Sequence, residues 1–113
     1  MADKEAEGTP QVNGADISQL KITLRKPVHN GDGSDVTELK FREPTAGDIE
    51  MVGNPVILDL IGADLPKVNF DAKSMTHMMA RLANVPPSTI RQMHPKDWNS
   101  AAWMLTNFFM PDL

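Results

Sequence analysis

From residue 20 onward, apolar and polar residues alternate. Leu20, Ile22 and Leu24 are interleaved with Lys21, Thr23 and Arg25, which puts three aliphatics on one face of a strand. The same period returns where Thr37, Leu39 and Phe41 alternate with Val36, Glu38 and Lys40, predicting a second strand with Leu39 and Phe41 inward. Between the two lies PVHNGDGSD, rich in residues that tolerate positive φ, so the strands join as a hairpin over residues 20–42. A lone hairpin is marginal in water, and its apolar face requires a cover.

Helical signals supply that cover. Pro44 ends the second strand, and Thr45 with Asp48 three residues later has the pattern of a capping box, with Gly53 closing a short helix. Asn54-Pro55 reads as another helix start and Gly62 as its stop. The enclosed VILDLI is too short for periodicity to decide, and the reading here is a buried helical turn. Residues 72–84 form the clearest helix, capped by Asp71. Met75, Met78, Met79 and Leu82 fall at i, i+3, i+4 and i+7, with Lys73, Thr76, His77, Ala80 and Arg81 on the other side. Val85-Pro86-Pro87 breaks it, Ser88 caps a short helix carrying Ile90 and Met93, and Pro95 ends that one. A last helix over 96–110 gathers Trp98, Ala101, Ala102, Leu105, Phe108 and Phe109 in one stripe, leaving Trp103 and Met110 outside it. Strands first and helices after give an α+β fold: one domain over 19–113, its hairpin at 20–42 and helices from 45 onward.

Residues 1–18 offer little to bury, and Asp3, Glu5, Glu7 and Asp16 there face only Lys4, so a disordered acidic tail is expected. The whole chain carries 15 acids and 11 bases, a net charge of −4, yet from Ser18 onward the signs nearly cancel. That balance argues against tracking nucleic-acid phosphates. The absence of cysteine excludes disulfides and thiolate ligands. The longest apolar stretch, 55–61, is interrupted by Asp59 and is too short to span a bilayer, so no membrane association is expected.

Motifs for chemistry are scarce. His29, His77 and His94 are not spaced as metal ligands, and NGDGSD departs from a calcium loop at both diagnostic places, with Asp35 for the glycine and Phe41 for the glutamate. Neither a phosphate-binding loop nor a nucleophile elbow is present. Catalytic residues, cofactors and metals are therefore not expected. One stretch does resemble a helix-turn-helix: MARLANVPPSTIRQM, residues 79–93, with Ser88 to Arg91 opening the would-be recognition helix. That second helix has a single base, Arg91, and little length before Pro95, which makes a DNA-binding regulator the lesser alternative.

ITLRKP (22–27), TELKFREPTAGD (37–48) and ARLANVPPSTIRQMHPKDWNSAAWML (80–105) together resemble the tail assembly chaperones of long contractile-tailed bacteriophages, the E/41/14 group. REPTAGD is the most specific element. The likeness covers about residues 20–109, while 52–71 and the acidic tail do not align with it. The resemblance implies a non-enzymatic protein that binds the tape measure protein. It would keep that client soluble and assembly-competent while tail tube protein polymerises around it. It also implies work in the host cell cytoplasm and absence from the mature virion; a minor structural tail subunit is the third reading. Eight methionines suit a pliable apolar contact surface. Trp103 and Met110 are the leading candidate contacts, followed by Met104, Met78 and Met79. For Met78 and Met79 the competing reading is plain core. For Trp103 and Met110 it is a second buried side or a homo-oligomer contact.

Overall fold

A computed structural model describes residues 11–12, 15–16, 19–59 and 67–111. Among them are strands β1 (Gln11–Val12), β2 (Ala15–Asp16), β3 (Lys21–His29) and β4 (Asp35–Lys40), then helix α1 (Ala46–Val52). Strands β5 (Val56–Asp59) and β6 (Lys67–Phe70) follow, then helices α2 (Ala72–Ala83), α3 (Pro87–Ile90) and α4 (Pro95–Thr106), and a 3-10 turn at Asn107–Phe109. The α+β class expected from the pattern is the one observed. Most of the expected disordered tail lies outside the described residues; the two short strands described within it extend the first sheet, in the order β1-β2-β3-β4.

The hairpin forms where alternation predicts it, with Ile22 opposite Leu39 and both buried. Its first strand is longer than the turn-like composition of 27–35 suggests. Between the pairs Thr23–Glu38 and Val28–Val36, the four residues Leu24, Arg25, Lys26 and Pro27 stand opposite Thr37 alone. This irregularity lets Pro27 sit in a strand without costing a ladder bond, and it turns Val28 fully inward. The remaining turn is short. Asn30 and Ser34 close it through backbone bonds, Gly33 takes φ 86, and Asp32 accepts from the Ser34 hydroxyl and N–H.

The segment after α1 corrects the sequence reading. Residues Val56–Asp59 are a strand and not a helical turn, paired antiparallel with Lys67–Phe70. Asn54 does not cap a helix; its side chain accepts from the Val56 N–H at 2.9 Å, and the Asp71 N–H donates to the Pro55 carbonyl at 2.9 Å, tying the base of a second hairpin. The reason is that Val56 and Leu58 find partners in Phe70 and Val68, and a four-residue strand has no identity apart from its neighbour. The Gly62 stop lies outside the described residues.

Helix α2 is as predicted. The Asp71 carboxylate accepts from the Ser74 N–H, Asn84 ends the helix in the left-handed region at φ 58, and Met75, Met78, Met79 and Leu82 are buried. Ala80, assigned to the solvent side, is also buried, because α2 is covered on two sides. Helix α3 begins two residues earlier than expected, with Pro87 at its first position and Pro86, not Ser88, as its cap. In α4 the predicted stripe holds for Ala101, Ala102, Leu105 and Phe109, whereas Phe108 is 39% exposed. The tightening into a 3-10 turn after Thr106 rotates it out of line. The helices cover one face of the first sheet, enclosing a single core in which Ile22, Val28, Leu39 and Phe41 meet the methionines of α2 and the alanines of α4.

Candidate functional site: a protein-binding surface

The segments that carry the sequence likeness prove to be joined to one another by buried carboxylates. Arg42 and Asp48 are the two ends that bracket EPTAG, and they close on each other through two parallel bonds of 2.8 Å, Arg42 Nη1 to Oδ2 and Nη2 to Oδ1. The Thr45 N–H donates to the same carboxylate at 2.8 Å, as a capping box requires, and Arg81 of α2 adds Nε to Oδ1 at 2.6 Å. The Arg42 guanidinium first, then that of Arg81 and the Thr45 N–H, hold the Asp48 carboxyl far below the usual carboxylate range, and Asp48 in turn raises Arg42. A backbone bond from the Arg42 N–H to the Leu82 carbonyl, 3.1 Å, reinforces the same junction.

The second tether joins the first hairpin to α4. The irregular stretch of β3 frees the Arg25 N–H from the ladder, and it donates to Asp97 Oδ2 at 2.8 Å while Arg25 Nε donates to Oδ1 at 3.0 Å. Asp97 is fully buried and Arg25 about one-third exposed, so the carboxylate is satisfied chiefly by groups the fold itself aims at it. Sequence reading assigned Asp48 its cap and missed everything else here. The pairs are 72 and 33 residues apart, and no local period marks them.

The five candidate contact residues separate cleanly. Met78 and Met79 are fully enclosed and Met104 is 6% exposed; in this conformation they are core and present no outward surface. Met110 is half-buried against the core, and Trp103 is 57% exposed. Trp103 and Met104 are neighbours in sequence, but one helical step of about 100° sends one outward and the other inward.

Trp103 does not stand alone. Its ring meets Phe70 of β6 edge-on, with centroids 5.2 Å apart and planes at 73°. On its other side Phe70 meets Trp98 at 6.3 Å, and the Trp98 Nε1–H donates to Thr76 Oγ1 at 3.0 Å, fixing the inner ring. Strand β6 thus presents one aromatic ring to two tryptophans of α4, with half-buried Leu58 and Val68 on the same face of the second hairpin. The side chains beside Trp103 one helical turn away, Asn99, Ser100 and Asn107, are uncharged. Phe70 belongs to the segment whose character the sequence left open, so its part here was not legible. Two further exposed apolar residues, Met51 at 69% and Ile57 at 49%, lie elsewhere on the surface.

The histidines serve local ends: His29 Nδ1 lies 2.9 Å from Asp35, His94 Nδ1 accepts from the Lys96 N–H, and His77 faces Arg91 at 3.5 Å. No cluster of three or more ligand-type side chains that could hold a metal ion occurs among the described residues. The helix-turn-helix reading does not survive. Helix α3 is a single turn of 4 residues, with Thr89 and Ile90 buried and the Thr89 hydroxyl donating to the His29 carbonyl at 2.9 Å. That helix is spent on covering the hairpin and has no length left to enter a groove.

What emerges is a small α+β domain whose buried ions are cross-links and whose outward feature is aromatic and apolar. The model of one protein family, phage tail assembly chaperone proteins, E, or 41 or 14, matches residues 21–110. The chain therefore belongs to that family of phage tail assembly chaperones, and membership implies a non-enzymatic role. Neither a curated protein nor a solved structure matches the chain. Among the described residues no helix is long and apolar enough to cross a membrane.

Proposed function

We propose that the protein binds the tape measure protein of its phage through the Trp103–Phe70 face and holds it soluble until tail tube protein assembles around it. The observation that carries this is a tryptophan left 57% exposed on a helix whose adjacent positions are buried. A large ring kept outside costs solubility, and it pays when a partner covers it. The uncharged surroundings on α4 suit an apolar client segment, since a charged rim would impose a pattern on the partner. The family name supports a client among phage tail proteins. In this reading the chaperone acts in the host cell cytoplasm and is released before the virion is complete.

The test is co-expression of the tape measure protein with wild-type chaperone, Trp103→Ala and Phe70→Ala, scoring soluble client and co-purification. Wild type is expected to raise soluble client, and Trp103→Ala to lose most of that gain while remaining folded by circular dichroism. Undiminished capture by a folded Trp103→Ala would move the binding face elsewhere, and no capture by wild type would remove the client.

A further inference from the structure

A second surface, sharing no residue with the Trp103–Phe70 face, lies along the outer side of α2. Two open depressions of about 510 and 190 Å³ adjoin there, with Val52 and His77 lining both. Their apolar walls come from three elements: Met51 and Val52 at the end of α1, Ala80 of α2, and Val85 and Pro86 in the turn before α3. Met51 is 69% exposed, the largest fraction among the exposed large apolar side chains described.

The charge along this groove has one sign. Lys73, His77 and Arg81 follow at four-residue spacing on α2, and Arg91 reaches His77 from the end of α3. Among the described residues Asp48 is tied to this row; it is buried and faces both Arg42 and Arg81, so one negative charge meets two positive ones. Among the described residues no acidic one lines either depression. In a chain of net charge −4, the described residues along this groove supply apolar walls and cations. We propose that it is a docking groove for an acidic amphipathic segment of a partner protein, apolar side chains against Met51, Val52 and Val85 and carboxylates against Lys73, Arg81 and Arg91.

The test uses a fluorescein-labelled helical peptide with leucines on one face and glutamates on the other, beside a copy with lysines for the glutamates. Anisotropy titrations compare the full chain with Lys73→Glu, Arg91→Glu, Met51→Ser and a chain lacking residues 1–10. The acidic peptide is expected to bind, weakening as salt rises, while the lysine copy does not. Each charge reversal should weaken binding several-fold and the pair at least tenfold, with Met51→Ser acting in the same direction. Trp103→Ala should leave this binding unchanged, which separates its failure from failure of the function proposed above. Equal binding of the two peptides, or no response to the charge reversals in folded variants, would overturn the proposal. Binding that appears only after residues 1–10 are removed would also overturn it, by making the chain's own acidic tail the occupant.

Discussion

Replacing Asp97 by alanine removes two bonds of unequal worth, and the difference can be measured. The pair with Arg25 Nε, 3.0 Å, involves a side chain about one-third exposed, so solvent screens it and it contributes roughly 0.5–1 kcal/mol. The bond from the Arg25 N–H, 2.8 Å, goes to a fully buried carboxylate from a main-chain donor that β4 does not satisfy. A charge-assisted bond of that kind is worth about 1.5–3 kcal/mol. Asp97→Ala should therefore cost about 2–4 kcal/mol, lowering Tm by roughly 10–25 °C for a domain of this size. Arg25→Ala keeps the main-chain bond and should cost no more than about 1 kcal/mol. Urea unfolding followed by tryptophan fluorescence, with thermal circular dichroism in parallel, gives both values. If the two variants lose the same stability, or Asp97→Ala loses under about 0.5 kcal/mol, the main-chain anchor is not what joins α4 to the hairpin.

Other substitutions probe the remaining joints. Asp48 has its carboxyl pKa lowered by Arg42, Arg81 and Thr45, so its contribution is complete above the unfolded value near 3.8 and is lost as pH falls toward the folded value. Asp48→Asn should thus be less stable than wild type at neutral pH, with the gap closing in urea midpoints stepped down below that value; a constant gap would refute the linkage. Met78→Ala opens a cavity in a fully enclosed site and should cost about 2–5 kcal/mol by urea denaturation. Trp103→Ala, which forfeits one edge-on contact, should cost under about 1.5 kcal/mol, and a larger loss would make Trp103 a core residue in practice. Gly53 sits at φ 98, ψ 161, a region open essentially to glycine alone, and a Cβ there would meet only Ser74 Oγ at 3.9 Å. Gly53→Ala should cost about 1–3 kcal/mol in thermal melts from backbone strain, and a neutral result would show that the end of α1 can readjust.

The family likeness and the structure meet at the same residues for a physical reason. Arg42 and Asp48 come from REPTAGD, Arg81 from the later stretch, Arg25 from ITLRKP and Asp97 from HPKDW, and these are the partners in the two buried clusters. A carboxylate enclosed by protein leaves few alternatives, since it is satisfied only by the donors that the fold aims at it. The segments that made the sequence familiar are thus the ones that lock hairpin, α1, α2 and α4 together, while Phe70 of the exposed aromatic face comes from the stretch between them.

What the sequence determined by itself was whatever depends on near neighbours. Alternation at Ile22 and Leu39 specified the first hairpin, Asp71 and the methionine spacing specified α2, and the helical angle at Trp103 turned it outward. Tertiary structure alone decided the rest. Val56–Asp59 is a strand because Lys67–Phe70 is there to pair with it, and β3 runs through Pro27 because a break in register spares the missing N–H. Met104 is core because the chain packs against that side of α4. Phe70 became the ring under Trp103 only when the second hairpin met that helix. Local periodicity fixes which way a side chain leaves its own backbone; what it then touches depends on residues far along the chain, and no window of sequence contains both.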